Sequence, residues 1–129
     1  MSRITQSQGV TIIEPGASYD SLDERSLEEF GEVLLAEATY ADPPRLLLDL
    51  SRTAFIGSSF IELLVQAWKR LKHRRGDMAL CALQPFCAEV LRIARLDTIW
   101  PIYASQRDAL AAMSCAQTLG EADQAEGRR

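Results

Sequence analysis

Residues 46–62, LLLDLSRTAFIGSSFIE, constrain the fold of this chain more than any other stretch. Leu46-Leu47-Leu48-Asp49-Leu50 is a short, almost unbroken apolar run. A run of that length and continuity suits a strand buried on both faces, at the centre of a sheet covered by helices. A polar break, Ser51-Arg52-Thr53, is followed by a second apolar touch at Ala54-Phe55-Ile56. Gly57 and the serines Ser58 and Ser59 then open an amphipathic segment. The pattern predicts a strand that feeds through a tight turn into a helix over residues 59–74, and it places function at that turn.

The flanking residues supply the rest of an α/β order. Residues 3–7 and 10–14 are β-prone, the second almost wholly β-branched, and Gln8-Gly9 between them predicts a hairpin. Pro15-Gly16-Ala17-Ser18 breaks the strand pattern. A helix is predicted over 23–39, with Leu27, Phe30, Val33, Leu34 and Ala38 on its inner stripe. Its start fits a capping box at Ser21 with Glu24 or at Ser26 with Glu29, and its acid-rich first half matches the helix dipole. Asp42-Pro43-Pro44 ends it.

In the helix after the central turn, Phe60, Leu64, Trp68 and Leu71 form the buried stripe, and Gly76 follows its basic end. Residues 78–83 read as another apolar strand, and 84–94 as a helix opened by Pro85, with Phe86, Val90, Leu91 and Ala94 facing inward. A last strand is predicted over 99–103, with Pro101 marking an edge or a bend. A fourth helix over 105–116 packs through Ala109, Leu110 and Met113. The order is β-β-α-β-α-β-α-β-α: one domain over residues 1–116, built on a mixed, mostly parallel sheet with an antiparallel hairpin strand at its edge. Residues 117–129 are expected to be a disordered tail.

Several classes of function find little in this chain. The formal charge of −4 gives no basic field for nucleic acid. The basic run at residues 69–75 reads as a solvated helix end before it reads as a partner contact. No stretch is apolar enough to cross a bilayer, and MSRITQSQG lacks the apolar core of a secretory signal, so the cytoplasm is the expected location. Cys81, Cys87 and Cys115 form no CxxC pair and are expected to be reduced. His73 is the single histidine and has no partner at metal-ligand spacing. Neither a glycine-rich phosphate loop, a GxSxG elbow nor an HExxH motif is present, so a binding module is expected, with no metal and no cofactor. An enzyme would need a ligand pocket at the strand ends.

The combined landmarks, DLSRTAFIGSS at 49–59, KRLKHRRG at 69–76, MALCAL at 78–83, QPFCAEVLRIARLD at 84–97 and IWPIYASQRDAL at 99–110, resemble the STAS domain of bacterial anti-sigma factor antagonists. The resemblance covers about residues 4–113. It implies a strand-to-helix turn carrying an Asp-Ser-Ser-Gly-like motif, whose first serine is phosphorylated by a partner anti-sigma factor with serine-kinase activity. The unphosphorylated antagonist holds that partner, frees the sigma factor and so regulates transcription. On this alignment Ser58 is the phosphoacceptor, ahead of Ser59, and Gly57, Ser58, Ser59, Phe60, Tyr19 and Asp20 fall on the partner-binding face. Gly57 stands where the family has aspartate, and Phe60 where it has glycine or another small residue.

The same residues have structural readings. Ser59 with Glu62 makes a capping box, which leaves Ser58 outside the cap as the switch residue. Phe60 serves either a partner face or the core. Trp68 reads as core, whereas Trp100 is open between core and interface. Asp49 and Glu62 could approach one another. The second function that the sequence supports is a non-cycling scaffold, self-associating or paired with other STAS chains in a stressosome-like or transporter-associated complex. Loss of the aspartate favours it.

Overall fold

The computed structural model describes residues 3–15, 18–19 and 24–113. In chain order the elements are β1 (Arg3–Ser7), β2 (Val10–Glu14), β3 (Ser18–Tyr19), α1 (Glu24–Tyr40), β4 (Arg45–Asp49), β5 (Phe55–Ile56), α2 (Ser58–His73), β6 (Asp77–Cys81), α3 (Pro85–Ile93), a 3-10 turn (Leu96–Thr98) and β7 (Ile102–Tyr103). Residues 106–113 form the described part of a fourth helix, α4. The predicted tail lies outside the described residues.

The hairpin closes as its sequence suggests. Ser7 pairs with Val10 and Arg3 with Glu14 in antiparallel register. Gln8 and Gly9 both take positive φ, 53° and 80°, the backbone that a two-residue hairpin turn requires. From β2 onward the pairing is parallel, giving a five-stranded sheet in the order β1-β2-β4-β6-β7.

Period two along β4 divides the core. Leu46 and Leu48 face Phe30, Leu34, Phe60, Leu64, Leu71 and Leu91 on the side of α1, α2 and α3. Leu47 turns the other way, to Val10, Ile12, Ala109, Leu110 and Met113, where α4 covers the sheet. The central strand is thus buried on both faces, as its unbroken hydrophobicity requires.

The basic end of α2 has structural work that its composition did not show. Arg70 Nη1 donates to Leu35 O and Thr39 Oγ1, and Arg74 donates to Ala38 O and Ala41 O. Two of the cations in the run are therefore turned to the C-terminal end of α1, where Arg74 serves the carbonyls of Ala38, in the last turn, and Ala41, just past it. Gly76 follows, and a Cβ at that position would stand 2.1 Å from Pro44 O. Glycine is required there because the β6 entry passes directly against the backbone before β4.

Three readings need correction. The last strand is only two residues long: Trp100 N and Ile99 N both donate to Leu96 O, which pulls residues 96–100 into a turn. That turn buries Trp100 and sets its ring 6.5 Å from Trp68, edge to face, so Trp100 is core. In α3 the inner face is Cys87 and Leu91, with Val90 half-buried, while Phe86 and Ala94 are exposed. Finally, β3 and β5 pair in parallel as a separate two-stranded sheet, too short to show as a periodic pattern.

Candidate functional site at the start of the second helix

The turn from β4 into α2 is held along most of its length. Asp49, buried at the end of β4, accepts from Ser51 N through Oδ1 at 2.9 Å and from Gln106 Nε2 through Oδ2 at 2.8 Å. One carboxylate thus fixes the first bend of the turn and ties it to α4. Leu50 N donates to Cys81 O, and Gln84 Nε2 donates to Ser51 O at 2.8 Å. Further on, Thr53 N donates to Leu50 O and the Cys87 thiol donates to Thr53 O at 3.4 Å. Burial pushes the Cys87 thiol up, so it stays protonated and able to donate. The segment leading to the serines is accordingly a rigid support.

At its end, β5 pairs with β3, with Tyr19 opposite Ile56. This places the Tyr19 backbone beside the residue that precedes Gly57. Asp20 lies outside the described residues.

The helix start differs from the capping expectation. Gly57 is the N-cap, in extended backbone at φ −117° and ψ −174°, and no side chain caps α2. Ile61 N donates to Gly57 O, the first helical bond. Ser58 and Ser59 are therefore the first two helical residues, both exposed, and the Ser59–Glu62 capping box does not form. Serine caps from outside the helix, and Ser59 stands two residues past the N-cap, which removes that geometry. Gly57 also does not use the positive φ that glycine permits; any residue can adopt its conformation.

Phe60, placed both on the buried stripe and on the partner-binding face, belongs to the stripe alone. It is 0% exposed and stacks on Phe30, with ring centroids 4.9 Å apart and 10° between planes. It fills the core between α1 and α2, so no partner can touch it while the domain is folded. Asp49 is engaged by Ser51 and Gln106, and Glu62 is exposed on α2.

The aromatic surface near the serines comes instead from Phe55 and Phe86, 51% and 48% exposed, which meet edge to face at 5.4 Å. Sequence reasoning missed both. Phe86 sits on the first turn of α3, which Pro85 starts, and there the inward position falls to Cys87. Phe55 is two residues before Gly57, and its neighbour Ile56 takes the buried position. The available signal was the alternation itself, since only one of Phe55 and Ile56 can face the core.

One cleft adjoins this site. Ser59 lines a groove of about 450 Å³ between α1 and α2. A second cleft, about 670 Å³, is lined by Arg45 and Asp77, the first residues of β4 and β6, and so lies at the strand ends away from the serines. Among the described residues no group of His, Cys, Asp and Glu is arranged to hold a metal ion, and no helix is long and apolar enough to cross a membrane.

Comparison with known proteins agrees with this architecture. The STAS domain family model matches residues 2–109, and the chain belongs to that family. BtrV of Bordetella bronchiseptica, which carries the name of an anti-sigma factor antagonist, is 33% identical over 72 residues; the match spans 56% of this chain and 62% of that relative. An anti-sigma factor antagonist (STAS) domain protein from Planctomyces limnophilus superposes with a TM-score of 0.79 at 38% identity, covering 88% of this chain and 97% of that one. The Bacillus cell fate determinant SpoIIAA in its phosphorylated form shares the fold at a TM-score of 0.67 and 15% identity, with 88% of this chain and 99% of that one covered.

Proposed function

We propose that this chain is an anti-sigma factor antagonist, cytoplasmic and acting by partner switching. In the unphosphorylated state its α2 start and the Phe55–Phe86 pair dock on an anti-sigma factor with serine-kinase activity, and transfer of phosphate to Ser58 ends the complex. The observation that carries this reading is the placement of Ser58. It is exposed, it is the first residue of a sixteen-residue helix without a side-chain cap, and it stands on a turn braced by Asp49, Gln84 and Cys87. Unpaired backbone N–H groups and the positive end of the helix dipole suit a phosphate at that point. The phosphate adds about 1.5 to 2 negative charges at pH 7, enough to change docking without unfolding the domain. The exposed aromatic pair suits a contact anchor, because interface cores are enriched in such side chains.

The test is incubation with the cognate anti-sigma factor and ATP, followed by intact-mass measurement. A gain of one phosphoryl group is expected on wild type and not on Ser58→Ala. No gain in mass, together with no complex in ADP, would overturn the proposal.

Gly57 supports a second reading. No carboxylate flanks the serine at the N-cap. A STAS subunit that never cycles, associating with itself or with other STAS chains, needs none. Assembly unchanged by both Ser58→Ala and Ser58→Asp would favour that scaffold over the switch.

A further inference from the structure

The groove between α1 and α2 has a two-part chemistry that the serine switch does not use. Leu27 and Leu35 of α1 and Leu63 of α2, all half-buried, form its floor. Glu28, Glu32 and Glu62, all exposed, stand on its rim. Gly31 opens the middle, since even a Cβ there would come within 3.2 Å of Leu63. Among the described lining residues there are three carboxylates and no cation. At one end Arg70 is bonded to Leu35 O and Thr39 Oγ1 and so is directed to the α1 backbone. Ser59 lines the groove and Ser58 does not.

We propose that this groove seats a basic amphipathic helix of the partner protein. The inference rests on the reading that the chain acts by protein binding. An apolar trough between two helices accepts one face of a third helix, with anchors at three- and four-residue spacing. From Leu27 to Leu35 the groove runs about 12 Å along α1, enough for roughly two turns of an occupant. The rim selects its charge: lysines or arginines flanking the apolar stripe meet Glu28, Glu32 and Glu62, whereas an acidic helix is repelled. Because Ser58 is outside the lining, a charge on it leaves this contact in place, and the groove and the switch are separable parts of one docking surface.

The test titrates the full chain with a labelled synthetic Leu/Lys amphipathic peptide of about 18 residues, roughly five helical turns, and with its Leu/Glu counterpart. Amide shifts confined to residues 27–35 and 59–66 are expected with the Lys peptide, and no binding with the Glu peptide. Glu32→Lys with Glu62→Lys should weaken the Lys peptide about tenfold or more. Lys69→Glu with Lys72→Glu, on other parts of α2, should not weaken it, and neither should Ser58→Asp, whose added charge lies within a Debye length of the rim and has the rim's own sign. Both rim residues are exposed, and far-UV circular dichroism verifies the fold of each variant. Shifts elsewhere, no binding of the Lys peptide, or indifference to the rim reversals would overturn the proposal. So would a dimer that the rim reversals dissolve, because it would assign the groove to a second copy of the chain. Failure of Ser58 phosphorylation with peptide binding intact would remove the switch and leave the groove.

Discussion

Phe60 lies flat against Phe30, joining the first turn of α2 to the middle of α1 with both rings out of solvent. The residue after the two serines is therefore a structural anchor. It fixes where the helix carrying Ser58 begins. Phe60→Ala should lower the unfolding free energy by about 3–5 kcal/mol, the usual cost of removing a buried aromatic ring, as read from urea denaturation. A loss below about 1 kcal/mol would mean that the stack contributes little.

Gly57 is the complementary case. Its extended backbone accepts any side chain, and α2 has no cap. Gly57→Asp should stabilise the domain by a few tenths of a kcal/mol through a new N-cap hydrogen bond. A thermal melt checks this, and a clear fall in melting temperature would show that the turn cannot hold a carboxylate.

Gly76 admits no such change. A Cβ 2.1 Å from Pro44 O forces the α2–β6 turn away from the β4 entry. Gly76→Ala is expected to cost about 3 kcal/mol by overpacking against backbone, measured as a shift in the urea midpoint. A neutral result would contradict the close approach.

Cys81 links stability to alkaline pH. Burial, with the carboxylates of Asp49 and Glu14 adding to it, pushes its thiol up to about 12. An unfolded thiol titrates near about 8.5. Between those values the unfolded chain has lost a proton that the folded chain keeps, so this contribution is complete below about pH 8.5 and falls by about 1.4 kcal/mol per pH unit above it. In paired urea titrations from about pH 8 to about pH 11, Cys81→Ala should lack that part of the slope. Parallel curves for the two proteins would remove the effect.

Much of the fold was legible because the main strands and helices carry strong periodic signals. The continuous apolar run of β4 implied burial on two faces, and Leu46, Leu47 and Leu48 divide between two core clusters accordingly. The hairpin register followed from a two-residue turn. The β3–β5 pair was not legible, because two residues have no period and their pairing depends on tertiary approach. The site was half legible. The serine turn and the buried stripe through Phe60 stand out in the sequence, but the cap turns on a shift of two residues and the exposure of Phe55 and Phe86 on a shift of one. Composition does not resolve such a shift, and on α3 it decides whether Phe86 or Cys87 faces inward.

In the proposed switch, negative charge on Ser58 controls docking. The most direct measurement is the affinity of the cognate anti-sigma factor, by calorimetry, for the unphosphorylated chain and for the chain phosphorylated at Ser58. Binding at least about tenfold weaker is expected after phosphorylation, a change of about 1.4 kcal/mol, with Ser58→Asp shifted in the same direction. Equal affinities for the two forms would contradict it.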